Sequence, residues 1–90
     1  MKKRVVIIGA GNWGTTLAIE FSRCCDVVLW TETDAHAEDI GMHRENRQFL
    51  PGVTLPESIA VEQKYSSPIA PDNWVLLAVP SRVMTSVVEE

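Results

Sequence analysis

Three short apolar runs stand out along the chain: Val5-Val6-Ile7-Ile8, Val27-Val28-Leu29-Trp30 and Trp74 through Val79. They are rich in β-branched and aromatic residues and show no polar alternation. That pattern suits strands buried on both faces, as in a parallel sheet covered by helices. Between the first two runs, Trp13, Leu17, Phe21 and Cys25 recur every four residues, which marks one face of a helix. Ala10, Gly14 and Ala18 recur with the same spacing and are all small, so that a helix can lie close against a strand.

After the second run, Asp34 is placed to N-cap a helix reaching about His43 or Arg44. Glu38 and Asp39 lie early in that segment and His43, Arg44 and Arg47 late, as the helix dipole prefers. Leu50-Pro51-Gly52 reads as the turn that ends it, and Pro56 holds the next stretch extended. Ser58 to Val61 reads as a short strand. Pro68 and Pro71 forbid a long helix in residues 62 to 73, and Asp72-Asn73 favours a turn. Pro80 ends the third run, and Arg82 to Glu90 reads as the start of a helix with Val83, Val87 and Val88 inward. Strands alternating with helices in this order imply a parallel, right-handed α/β sheet.

The sequence Gly9-Ala-Gly11-Asn12-Trp13-Gly14 directly follows the first strand and opens the first helix. Glycines also serve ordinary turns, so the context carries the reading. Gly9 permits a tight turn, Gly11 lets a pyrophosphate approach the backbone, and Gly14 lets the helix pack closely. The helix-start amides and dipole then favour the phosphates. The fold class expected is a Rossmann-type doubly wound sheet, with these ninety residues forming its N-terminal half.

Such folds place an acidic residue about 20 positions on, to accept hydrogen bonds from the adenosine ribose. Glu32 occupies that place, just past the second strand, and otherwise reads as a solvated loop residue. Its charge would repel the extra phosphate of NADP, and no Arg or Lys lies between Asp26 and His43 to attract it. NAD is therefore expected over NADP.

Composition narrows the partners. The net charge is -4 with both signs interspersed, so no basic stripe suits a nucleic acid backbone. No run approaches the roughly 18 apolar residues of a membrane span. Met1-Lys2-Lys3-Arg4 followed by apolar residues imitates a secretory leader, but Gly9 and Asn12 interrupt the run and no cleavage site follows. Cys24-Cys25 has no metal-ligand or redox spacing and reads as reduced thiols buried on a helix, which points to the cytoplasm.

The stretches "GAGNWGTTLA" at 9–18, "VVLW" at 27–30, "ENRQFLPG" at 45–52, "LP" at 55–56 and "LLAVPS" at 76–81 occur in this order. Together they resemble the N-terminal region of NAD(P)-dependent glycerol-3-phosphate dehydrogenases, from Val5 to about Val83. The resemblance implies interconversion of dihydroxyacetone phosphate and sn-glycerol 3-phosphate, with a product that feeds phospholipid synthesis. It implies that Asn12 and Trp13 contact the cofactor where the glycine loop meets the helix, and that Glu32 lies near the adenine ribose. Phe49 matches the aromatic of the "LPG" loop, more often tyrosine, and Val79 and Pro80 would lie beside the nicotinamide half. Val83 matches a position often held by phenylalanine. From the residues alone, Trp13 reads equally as a cofactor cover or as a core tryptophan.

Reducing a ketone needs a general acid and a clamp for the substrate phosphate. The resemblance places these groups after the matched region, so no catalytic residue is expected here, and a small phosphorylated substrate would bind only together with a C-terminal part. Lys2 and Lys3 precede the first strand and Lys64 lies in the unread connection. His36 and His43, seven apart on one helix face, read as solvated or capping, and Tyr65-Ser66-Ser67 reads as turn. A half sheet leaves an open edge that self-association or a partner would cover. The alternative is a stand-alone dinucleotide-binding module without catalysis.

Overall fold

The computed structural model describes residues 3–64 and 69–78. The first apolar run forms β1 (Arg4–Ile8), and the glycine loop leads into α1 (Asn12–Phe21). The second run forms β2 (Asp26–Thr31), followed by α2 (Asp34–His43). A small hairpin of β3 (Glu45–Asn46) and β4 (Leu50–Thr54) intervenes before β5 (Ala60–Gln63) and β6 (Trp74–Leu77). The readings for Tyr65 to Pro68, for Val79 and Pro80, and for a helix from Arg82 to Glu90 lie outside the described residues.

Four strands form one parallel sheet in the order β5-β2-β1-β6, as the alternating pattern implies. The chain steps outward from β1 to β2 and β5, then crosses to the other side of β1 for β6. The strand order therefore reverses at β1, with β2 on one side and β6 on the other, and it is at the carboxyl ends of the strands beside such a reversal that ligands of open α/β sheets bind. The runs lack polar alternation because both faces are covered. Val5, Ile7, Val27 and Leu29 pack with Ala18 of α1 and Ile40 of α2, while Val6, Val28 and Trp30 are buried in a second cluster. β6 is less protected, and Trp74, Val75 and Leu77 are exposed.

The seam of α1 is not the stripe of large residues. Trp13 is exposed, and Gly14, Thr15 and Ala18 are the buried positions, with Leu17 and Phe21 packed at the margin. The helix lies too close to the sheet for bulky side chains directly beneath it, so the small stripe forms the contact. The helix also ends at Phe21, four residues before the stripe does. Cys24 and Cys25 both donate backbone N–H groups to the Phe21 carbonyl. The cysteines thus lie in a turn, not on a helix, with Cys24 exposed and Cys25 half-buried.

Three further expectations shift. Thr33, not Asp34, caps α2: its backbone is extended and its side chain accepts from the His36 N–H at 3.1 Å. Asp34 sits one residue later, where its charge still suits the helix dipole. The helix stops at Arg44, which adopts a left-handed conformation (φ 51°) and donates its N–H to the Ile40 carbonyl. Leu50-Pro51-Gly52 is therefore not the turn that ends α2 but part of β4. Its pairing shifts between Glu45 and Asn46, and Gly52 takes φ 85°, a bulge geometry that admits proline at a sheet edge. The next strand starts at Ala60 rather than Ser58, because Ile59 first closes a turn onto the Pro56 carbonyl.

Asp39 ties α2 to the hairpin. Arg47 donates to its carboxylate at 2.7 Å, and His43 Nδ1 lies 3.2 Å from it. The Arg47 hydrogen bond holds the Asp39 carboxyl below its ordinary value of 3.8. A carboxyl lowered by folding stabilises the fold above its unfolded value and loses that contribution as pH falls through the folded one. Asp39→Asn should thus be less stable than wild type near neutral pH, with the gap closing below pH 3.8, as urea melts across pH would show.

Candidate functional site

The loop from Gly9 to Asn12 lies at the carboxyl end of β1, at the point where the strand order reverses. Gly9 donates to the Trp30 carbonyl at 3.0 Å, and Ala78 donates to the Ile8 carbonyl at 2.8 Å. The loop base is thus fixed to both neighbouring strands.

The three glycines meet three different demands. Gly9 has φ 114°, which only glycine adopts without strain. Gly14 faces the sheet, and a Cβ there would collide with the Gly9 carbonyl oxygen and lie 3.1 Å from Ala78 Cβ. Gly11 has φ -86° and ψ -165°, open to any residue, and a Cβ there would meet nothing within 4 Å. Neither backbone conformation nor packing requires glycine at position 11. What it leaves is bare backbone beside open space.

That backbone begins α1, and no side chain caps it. The first amides of a helix have no intrahelical acceptor, so Asn12, Trp13 and Gly14 can offer N–H groups to an anion, aided by the helix dipole. The contrast with α2, capped by Thr33, is direct. Asn12 and Trp13 are exposed beside Gly11, and Trp13 is 65% exposed, so it is not a core tryptophan. The arrangement fits a pyrophosphate: a bare backbone, uncapped donors and room above them.

Asn46 holds this loop from behind, and sequence reasoning did not single it out. Fully buried, it donates through Nδ2 to the Ala10 carbonyl at 2.8 Å and to Thr15 Oγ1 at 2.7 Å. Its Oδ1 accepts from the Phe49 N–H at 3.3 Å and meets His36 Nε2 at 3.1 Å. Because Phe49 N–H can only donate, Oδ1 must face it, and His36 Nε2 therefore carries a proton. One side chain joins the glycine loop, α1, α2 and the β3–β4 turn. The signal was the asparagine inside "ENRQFLPG". His36 is correspondingly half-buried and engaged, not solvated.

Phe49 packs its ring against His36 at a centroid distance of 5.6 Å and remains exposed. Glu32 follows β2, exposed, and Lys64 Nζ binds both its carboxylate oxygens at 3.0 and 3.1 Å. Val79 and Pro80 lie outside the described residues. Ala78, just before them, is buried against the glycine loop. A separate open groove of about 530 Å³ between α2 and β5 is lined by Asp34, Glu38 and Glu62, a charge that repels phosphate. Lys3 is remote from the loop, with Nζ 3.2 Å from the Asp72 carbonyl oxygen. Among the described residues, no helix is long and apolar enough to cross a membrane.

Comparison with known proteins identifies the family. The family described as NAD-dependent glycerol-3-phosphate dehydrogenase N-terminus matches residues 4–90. Glycerol-3-phosphate dehydrogenase [NAD(P)+] 2 of Sphingopyxis alaskensis is 37% identical over 90 residues, all of this chain and 27% of the relative. The Corynebacterium glutamicum glycerol-3-phosphate dehydrogenase [NAD(P)+] is 42% identical over 81 residues, 89% of this chain and 24% of the relative. The solved glycerol-3-phosphate dehydrogenase of Coxiella burnetii superposes with a TM-score of 0.79 at 28% identity, over 97% of this chain and 27% of that one. The yeast structure, at 21% identity and a TM-score of 0.76, shares the fold. The chain spans about a quarter of the length of the curated relatives it matches.

Proposed function

We propose, because this chain belongs to the family of NAD-dependent glycerol-3-phosphate dehydrogenase N-termini, that it holds the dinucleotide for a glycerol-3-phosphate dehydrogenase. The bound nicotinamide supplies the hydride that converts dihydroxyacetone phosphate to sn-glycerol 3-phosphate. Gly9 turns the chain, and the amides of Asn12, Trp13 and Gly14 donate to the pyrophosphate across the bare face of Gly11. Trp13 and Phe49 offer apolar surface beside it. Glu32 accepts from the adenosine ribose, and its charge favours NAD over NADP. The family resemblance assigns Val79 and Pro80 to the nicotinamide half. The general acid and the substrate clamp belong to the part of the relatives' length that this chain does not match. The cysteines Cys24 and Cys25, with no disulfide or metal-ligand spacing, support a cytoplasmic setting.

The observation that carries this reading is Gly11, a glycine the fold does not require, at an uncapped helix start. Gly11→Ala should cost the fold no more than about 1 kcal/mol, since alanine is a poorer cap than glycine. It should weaken NADH binding about tenfold or more, because charge-assisted bonds to the phosphate are lost. Calorimetric titration alongside thermal melts separates the two effects. The dehydrogenase assignment is tested by a chimera in which this chain replaces the matching N-terminal quarter of the Sphingopyxis alaskensis relative. Oxidation of NADH dependent on dihydroxyacetone phosphate is expected. A folded chimera without it overturns the assignment.

A further inference from the structure

The sequence offers no Arg or Lys from Cys24 to His43, so the end of β2 reads as hostile to phosphate. The topology supplies what the local sequence lacks. β5 pairs with β2, and Lys64, the residue after β5, donates its backbone N–H to the Thr31 carbonyl at 2.8 Å. Its backbone is thereby pinned beside the residue that precedes Glu32. Its ammonium group reaches the Glu32 carboxylate from 32 positions away in sequence.

Resting on the dinucleotide site proposed above, we infer that Lys64 is the residue that admits a 2′-phosphate on the adenosine ribose, in competition with Glu32 for the same ammonium group. The choice between NAD(H) and NADP(H) is then set by the pair, not by Glu32 alone.

Magnitudes support an exchange. Glu32 is 71% exposed and Lys64 36%, and ion pairs at the surface contribute little to stability. Releasing Lys64 from Glu32 therefore costs little. A phosphate monoester carries more charge than a carboxylate and accepts stronger hydrogen bonds from an ammonium group. With NAD(H) bound, Lys64 stays on Glu32, whose two oxygens keep lone pairs for the ribose hydroxyls. With NADP(H) bound, Lys64 turns to the phosphate, and Glu32 remains as a repulsive neighbour. The site is thus permissive toward both cofactors, with Lys64 and Glu32 pulling in opposite directions.

The test is calorimetric titration of NADH, NADPH, AMP and adenosine 2′,5′-bisphosphate into wild-type protein and the variants Lys64→Gln, Lys64→Arg and Glu32→Gln. Lys64→Gln should weaken NADPH and the bisphosphate about tenfold, the worth of one charge-assisted hydrogen bond, and leave NADH and AMP nearly unchanged. Lys64→Arg should retain NADPH binding, and Glu32→Gln should strengthen it. If wild type binds NADH but Lys64→Gln leaves the ratio of NADPH to NADH affinity unaltered, this inference is overturned and the dinucleotide site stands. If wild type binds neither dinucleotide, the site itself is overturned, and the role of Lys64 falls with it.

Discussion

Gly14→Ala is expected to destabilise the domain by at least about 3 kcal/mol, the upper range for overpacking a core. The added methyl group would collide with the Gly9 carbonyl oxygen, a backbone atom, and press on Ala78 Cβ at 3.1 Å. Neither neighbour can yield by turning a side chain. Gly9 is held to Trp30, and Ala78 to Ile8, by backbone hydrogen bonds. The helix must instead rise off the sheet, which opens the seam at Thr15 and Ala18, both fully buried. A domain of this size has roughly 0.05–0.15 kcal/mol of stability per residue, so the loss is a large share of the whole. Urea or thermal melts check it, with Tm falling by about 4–8 °C per kcal/mol. A variant within 1 kcal/mol of wild type, by the same rough scale, would show that the helix does not pack on the loop in this way.

Asn46→Ala should be nearly as costly, about 2–4 kcal/mol. The side chain makes four polar contacts from a fully buried position. His36 and Phe49 lie near enough to solvent to find water when the asparagine is removed. Thr15 is fully buried and Ala10 nearly so, and their oxygens would be left without the amide donor. An orphaned buried polar group costs about 1–3 kcal/mol, so these two dominate the loss. Asn46→Asp separates the two halves of the role. It retains an acceptor for Phe49 and His36 but removes the donor to Ala10 and Thr15 and buries a charge, so it should be no better than alanine. Because Ala10 lies inside the glycine loop, both variants should also weaken NADH binding under conditions where they remain folded. Full NADH affinity in folded Asn46→Ala would show that the loop keeps its shape without this clamp.

What the sequence made legible was local. The β-branched run before the glycines, the spacing of those glycines and the small stripe on α1 each depend on neighbours within one turn or strand. The β1-loop-α1 unit and the parallel sheet could therefore be read in advance. The large-residue stripe misled because a helix pressed against a sheet buries its smallest residues, and periodicity does not distinguish a seam from its flank. The β3–β4 hairpin was hidden by Pro51-Gly52, which signals a turn unless a bulge accommodates both. The partners of Asn46 and Lys64 were hidden for a different reason. Asn46 acts on Thr15 and Ala10, and Lys64 on Glu32, across more than thirty residues. Such partners are chosen by topology, and only the folded sheet brings them together.

The most direct test of the dinucleotide site is titration of NADH into the isotopically labelled chain, followed by amide chemical shifts in an NMR spectrum. The amides of Gly9, Gly11, Asn12, Trp13 and Gly14 are expected to shift first and furthest, with Glu32 following as the ribose seats. Saturating shifts confined to other surfaces, or none at all from a folded chain, would contradict a dinucleotide site on this loop.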